Sequence, residues 1–431
     1  LLFDKKNISH ATILFIGLAL LFSSANINWG KTHWKNIIKA DGKGYYAWLP
    51  AIFIYNDINF GFFDKIEKEK YFNKDLFYDY RVNINNKTTN KYFCGTAILQ
   101  MPFFLTAHII TKLTNNDADG FSKWYAILIN IAAIFYALAG LYFSNKILKD
   151  IGINNLNRSL TLIIMTFSTN LFYYVIGEPA MSHIYSFFCI TVFCFFTMQI
   201  KTQKNALLIS AILFGFIVLI RPVNGLIILI VPFFFESISD FLLFIKSFIK
   251  KIAYSTLIVF LIIFVQPLLY FIQTETFFPD TYLGEHFNFL NPHIILFLFS
   301  FKKGLFLYSP IYLLSTIGFY YLYKKNRFQF YYLLFFCCLL VYILSSWWNW
   351  WYGGSFSSRV MLDYQIIYII LFALCLEKTK GKLKGIFISF SFVFLILCQI
   401  QTYQYRYYII HWENMNKELY IKSILSNKKN V

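Results

Sequence analysis

The carboxylate best placed to do chemistry in this chain is Asp41, in KADGKGYYAWLP, between Ala40 and Gly42 and a few residues from Tyr45, Tyr46 and Trp48. Glycines that free the backbone and rings that can stack on a sugar suit a general base acting on a hydroxyl. The competing reading is a turn aspartate bonded to its own backbone. Glu178 and His183 lie in VIGEPAMSHIYS between two strongly apolar runs, with Pro179 breaking the backbone. Ionisable groups that close to hydrocarbon are expensive and face a cavity or a partner. Otherwise Glu178 complements the dipole of a helix beginning near His183, and His183 is a satisfied boundary histidine.

Arg221 closes the run AILFGFIVLI ahead of Pro222. It needs an anionic partner, for which a lipid-linked phosphate is one choice and a headgroup reached by snorkelling another. In FSFKKGLFLYSP, Lys302 and Lys303 beside Gly304 either hold a phosphate or anchor the loop at the interface, and TETFFPDTYLGEHFNF adds Asp280, Glu285 and His286. WWNWWYGGSFSSRVMLDY supplies Tyr352, Arg359 and Asp363. The last two are four apart on an incoming helix, so Asp363 is expected to pair with Arg359, which also remains able to reach a substrate.

Membrane helices must position these groups. The 431 residues are 58% hydrophobic and 14% charged, with a mean hydropathy of +0.54, which excludes an ordinary soluble domain. A net charge of +18 would point to nucleic acid in a soluble protein. Here the basic residues punctuate apolar runs of about 15–23 residues, so the charge reads as topology and no nucleic-acid partner is expected. The seven cysteines show neither metal-ligand spacing nor a disulfide framework. The pattern predicts an all-α polytopic membrane protein of about eleven spans. They fall near 11–27 (a retained anchor rather than a cleaved signal), 124–145, 159–176, 184–200, 206–220, 226–236, 252–273, 309–323, 328–346, 360–376 and 385–402. Thr96–Ile110, with Gln100, Pro102 and His108, is expected to lie horizontally or re-enter.

Orientation follows from lysine and arginine in short loops. With the N-terminus in the cytoplasm, the inner side collects Lys5 and Lys6, Lys146, Lys149 and Arg158, Lys201 and Lys204, Lys246, Lys250 and Lys251, Lys324, Lys325 and Arg327, and Lys378, Lys380, Lys382 and Lys384. The segments 177–183, 221–225 and 347–359, which are poor in basic residues, then face outward together with a long first loop, 28–123, expected to carry interfacial helices. Residues 1–410 form one transmembrane domain, and 411–431 a short polar tail. All the candidate residues share the outer face.

A first-loop acid after the first span, a second acid at the outer end of the third, an outer arginine and a late WYGG…R segment resemble the GT-C superfamily of integral membrane glycosyltransferases. That group includes protein O-mannosyltransferases, aminoarabinose transferases and oligosaccharyltransferase catalytic subunits, and the likeness is greatest to bacterial dolichyl-phosphate-mannose-protein mannosyltransferase-like members. It covers most of residues 1–410. It implies a GT-C-like fold, the catalytic carboxylate on Asp41 and the second acid on Glu178. The chain departs from relatives in having the single acid of Asp41-Gly42 where they have an Asp-Glu pair, and no Asp-x-Glu at 178, which leaves metal dependence open.

The expected function is an inverting transfer of a sugar from a polyprenyl-phosphate donor to a lipid, glycan or protein acceptor, at the outer face of the cytoplasmic membrane. Asp41 acts as base, and Arg221 with Lys303 or Arg359 stabilises the leaving phosphate. Glu178 orients a substrate or shares a divalent cation with Asp41. Tyr45, Tyr46, His183, His286 and Tyr352 line the substrate site. Two alternatives remain: an O-antigen-polymerase-like enzyme, whose long outer loop would come later in the chain, and a lipid-sugar transporter or flippase, whose ionisable groups would sit at mid-membrane.

Overall fold

A computed structural model describes residues 8–425. Lys5 and Lys6, counted above toward the inner charge, and the last six residues of the tail, 426–431, lie outside the described residues. The helices are α1 (Ile8–Asn28), α2 (Asp41–Pro50), α3 (Gly95–Leu113), α4 (Lys123–Asp150), α5 (Asn155–Phe167), α6 (Leu171–Ile176), α7 (Ser182–Met198) and α8 (Ala206–Ile220). A 3-10 helix over Pro222–Phe234 leads to α9 (Ile238–Ile263), α10 (Val265–Thr274), α11 (Ile294–Phe299), α12 (Leu305–Tyr308), α13 (Ile311–Ser315) and α14 (Gly318–Lys325). The chain ends with α15 (Arg327–Ser345), a 3-10 turn at Arg359–Tyr364 running into α16 (Gln365–Lys378), then α17 (Gly381–Arg406) and α18 (Lys417–Leu425).

Among the described residues, seven helices are long and apolar enough to cross a membrane, and Ser182–Met198, Ala206–Ile220 and Pro222–Phe234 are shorter apolar helices. Phe22 on α1, Leu243 and Phe260 on α9 and Ile396 on α17 are each more than half exposed. Water would penalise such rows of bare side chains, whereas hydrocarbon does not. This is a membrane-embedded helical protein. The segment Arg359–Lys378 is its centre, with 94% of its most apolar stretch buried.

Several expected spans are not single helices. The run 159–176 divides into α5 and α6 at Ser168–Asn170, where side chains take over the broken backbone bonding: the Thr169 hydroxyl donates to the Met165 carbonyl and Asn170 Nδ2 donates to the Phe356 carbonyl. The run 309–323 divides into α13 and α14. Lys246, Lys250 and Lys251, expected in a loop, lie on the first half of α9. The Pro222–Phe234 helix, of 13 residues, is lengthened by its form. At about 2.0 Å per residue it reaches roughly 26 Å, against about 20 Å for an α-helix of that length.

Where a horizontal or re-entrant segment was expected, α3 is by length and composition one of the seven helices that could cross a membrane. Gly95 starts it against the Leu219–Ile220 backbone at the end of α8. It then runs back along the first half of α4, where the Tyr136 hydroxyl donates to the Leu99 carbonyl and His108 meets the Tyr125 hydroxyl, while Phe104 packs on Tyr46 of α2 and Gln100 donates to the Tyr185 hydroxyl of α7. The first loop also forms a hairpin that sequence reasoning did not expect, β1 (Arg81–Ile84) antiparallel to β2 (Lys87–Asn90). Its Asn85-Asn86 turn has both φ angles positive, at 52° and 62°, which is the chemistry asparagine tolerates in a two-residue hairpin. The tail is more than a short polar extension, since α18 folds back on the bundle, burying Tyr420 and accepting the Gln404 side-chain amide of α17 at the Ser423 carbonyl.

Close packing against α16 depends on Gly318, where an added Cβ would overlap the Leu371 backbone, whereas a Cβ on Gly385 in α17 would meet nothing within 4 Å. Gly318→Ala should therefore cost about 1–3 kcal/mol of stability. Gly385→Ala should be neutral or gain up to about 1 kcal/mol from helix propensity. Thermal unfolding of both variants in detergent checks this; equal effects would refute the packing argument.

Candidate functional site

Asp41 is the first residue of α2, and Ala40 before it sits at φ 46°, a conformation an alanine adopts only when its surroundings force it. Gly42 lets this turn press on the 177–183 segment, since a Cβ there would lie 2.9 Å from the Ala180 Cβ. Asp41 Oδ2 accepts from Arg359 Nη2 at 2.7 Å, with the carboxylate 23% exposed. Burial alone would raise the Asp41 carboxyl. The Arg359 guanidinium, the Tyr92 hydroxyl and the Lys91 ammonium outweigh it and hold the group below the usual carboxylate range. Arg359 Nε is buried and has no hydrogen-bond partner among the described residues.

Glu178 is nearly buried. Its Oε1 accepts from the Tyr173 hydroxyl at 2.9 Å and lies 3.7 Å from Lys39 Nζ. It is not the cap of α7, whose N-cap is Met181 with no capping side chain. Lys303, between α11 and α12, is 1% exposed. Its ammonium sits 4.5 Å from the centre of the Tyr405 ring, within electrostatic reach of Glu178 and Arg359. It makes no hydrogen bond among the described residues, and burial pushes it down to about 7. Lys302 instead lies over the Trp351 ring, 3.6 Å from its centre, which is an anchoring contact.

Beneath these groups lies a buried polar knot. Asp363 Oδ1 accepts from His183 Nδ1 at 2.7 Å, and its Oδ2 accepts from Arg221 Nη1 at 3.0 Å and from Asn224 Nδ2 at 2.8 Å. Asn224 also donates to the Ser186 hydroxyl and accepts from Tyr364. The knot joins α7, the Pro222–Phe234 helix and the turn that opens α16.

Several expectations are corrected here. Arg359 and Asp363 do not pair with each other. The turn carrying them is a 3-10 helix, in which residues three apart eclipse and residues four apart diverge by about 120°. One therefore points to Asp41 and the other into the knot. Arg221 has a protein partner, Asp363, in place of a lipid phosphate or headgroup. Tyr46 and Trp48 are fully buried and cannot stack on a sugar: the Tyr46 hydroxyl donates to the Gly120 carbonyl and Trp48 Nε1 to the Tyr92 carbonyl. His183 is a buried structural partner and not a lining residue. His286 is exposed, with its ring bonded to the Gly284 carbonyl of its own loop. Tyr45 and Tyr352 are buried, each within electrostatic reach of Arg221 and Arg359. Asp41 and Glu178 are each met by their own cation, an arrangement that does not fit one metal ion shared between them.

The structure thus brings Asp41, Glu178, Arg221, Lys303, Arg359, Tyr45 and Tyr352 to one end of the bundle. Sequence reasoning missed Lys39, Lys91, Tyr92 and Asn224. Lys39 and Lys43 flank Asp41 at two-residue spacing, the one visible signal. The chain matches no family, no curated protein and no solved structure in the comparisons made.

Removing Asp363 leaves Arg221 buried without its carboxylate, so Asp363→Ala should cost about 3–5 kcal/mol. Arg221→Ala should be similarly harmful, and the double variant should cost clearly less than the sum of the two. Unfolding of the three variants measures this; strict additivity would mean that the pair is not coupled.

Proposed function

We propose that the chain is an inverting glycosyltransferase that takes a sugar from a polyprenyl-phosphate donor at the outer face of the cytoplasmic membrane. The observation that carries this reading is a buried, unbonded Lys303 within electrostatic reach of Arg359, whose Nη2 holds the partly accessible Asp41 carboxylate and whose buried Nε has no partner among the described residues. Lys303 has no anion bonded to it and Arg359 keeps a donor to spare beyond Asp41, and a lipid-borne phosphate entering from the apolar bundle would answer both. The gathering of ionisable groups at one end of the helices, rather than at their midpoint, favours transfer over transport. The Lys146 and Lys149 end of α4, and Lys378 at the far end of α16, support an outward-facing site.

In this mechanism Asp41 takes the proton from the acceptor hydroxyl as its oxygen attacks the anomeric carbon. The bond from that carbon to the phosphate oxygen breaks on the opposite face, inverting the configuration. The electron pair stays on the leaving phosphate, beside Lys303 and Arg359. Arg359 serves both groups: phosphate drawn to the guanidinium loosens its hold on Asp41 and restores basicity to the carboxylate. Glu178, fixed by Tyr173 and Lys39, orients the substrate.

Asp41→Asn should lower sugar transfer from radiolabelled polyprenyl-phosphate sugars by about 10²–10⁴-fold, with membrane insertion unchanged; a fully active variant would sink the assignment. Because the Asp41 carboxyl is held low, kcat/KM should show no acid limb until below about pH 4, and Arg359→Gln should move that limb up by about 1–3 units. On the alkaline side, Lys303 at about 7 predicts that kcat/KM for the donor falls as pH rises through neutrality, since only the protonated amine binds phosphate. Lys303→Arg should remove that limb, because a guanidinium stays charged. A pH profile unchanged by Lys303→Arg would exclude Lys303 as the phosphate ligand.

A further inference from the structure

On the other side of α2 from Asp41 there is a cavity of about 270 Å³ that the proposed transfer does not use. Residues two apart on a helix face away from each other. Asp41 accordingly turns to Arg359, while Lys43 turns to Glu67, with Nζ 3.5 Å from Oε2. Glu67 lies in the wide helical turn Asp64–Lys70 and is 3% exposed. Its Oε1 accepts from the Tyr80 hydroxyl at 2.7 Å, while Oε2 has no hydrogen bond among the described residues. Trp34, Phe121 and the half-exposed Phe72 line the same cavity, with Asn73 at its edge.

We infer that this cavity is a second binding site, for a neutral, hydroxyl-rich sugar ring. The lining selects that class by elimination. A lipid tail would offer no polar group to Glu67 Oε2, which has no hydrogen bond of its own among the described residues. An anion would meet a buried carboxylate, and a cation would compete with Lys43, which already serves it. A pyranose meets both the polar and the aromatic lining: a hydroxyl donates to Glu67 Oε2, its oxygens accept from Lys43 and Asn73, and the C–H face lies on Trp34 or Phe72. Burial raises Glu67 to about 7, so near neutrality its carboxyl both accepts from and donates to hydroxyls. The volume falls just below the range of about 300–1,000 Å³ usual for small-molecule pockets, which suits one ring and not an extended chain.

The test needs no sugar transfer, so it stands or fails independently of the transferase reading. The full chain in nanodiscs is titrated with glucose, mannose, galactose, N-acetylglucosamine and their short oligosaccharides. Inorganic phosphate and glucosamine serve as charged comparators, with saturation-transfer NMR and tryptophan fluorescence as readouts. At least one neutral sugar should bind saturably, more tightly than either comparator. Glu67→Gln and Phe72→Ala should each weaken it about tenfold, and Trp34→Ala should abolish the fluorescence change. Lys303→Met, at the other site, should leave the binding unaltered. Phe72 is exposed enough that its removal spares the fold. Saturation by no neutral sugar, tighter binding of phosphate or glucosamine, or affinity unchanged in both Glu67→Gln and Phe72→Ala would each overturn the inference.

Discussion

The Asp363 carboxylate, buried and bonded by His183, Arg221 and Asn224, is the constraint on which the rest of this end of the bundle depends. A bare carboxylate there would be prohibitive, so three elements must converge to satisfy it. Their convergence fixes where the turn at Arg359 begins, and hence where its guanidinium emerges. The Asp41–Arg359 pair, whose carboxylate is 23% exposed, is thereby set upon the Asp363–Arg221 pair, whose carboxylate is fully buried. The lower carboxylate is satisfied within the fold by three donors, whereas Arg359 Nε in the upper pair has no partner among the described residues.

The short helix α2 is held from two sides. Its first turn presses on the 177–183 segment through Gly42, and its later residues Tyr46 and Trp48 are bonded into the first loop. The carboxylate is therefore carried on an element anchored to both the bundle and the loop domain. The conformation of Ala40 is the local cost of entering that helix at the angle both neighbours impose.

Much of this was legible in the residues themselves. An apolar composition with periodic charge announced membrane helices, and ionisable groups at the borders of apolar runs marked Asp41, Glu178, Arg221, Lys303 and Arg359, because such groups are too costly to leave without purpose. Pairing was not legible. A four-residue spacing reads as one face only if the helix is α, and nothing in RVMLDY shows that the turn is wound more tightly. Aromatic residues near a carboxylate read equally well as sugar platforms or as core, and burial decided for core at Tyr46 and Trp48. Helix breaks at Ser168–Asn170 and inside 309–323 were invisible because side chains repair them, keeping the apolar run continuous where the helix is not.

The long 3-10 helix Pro222–Phe234 has a consequence for what this chain can become. Its buried face is Asn224, Ile227, Ile230 and Phe233, a strict three-residue rhythm. Gain or loss of a single residue there turns everything beyond it by about 120°, moving the stripe into lipid or drawing Asn224 off Asp363. Loss of three keeps the stripe but shortens the helix by about 6 Å. Substitution can drift in this segment, but its length cannot, so its residue count should be among the most slowly changing properties of the protein as its loops diverge.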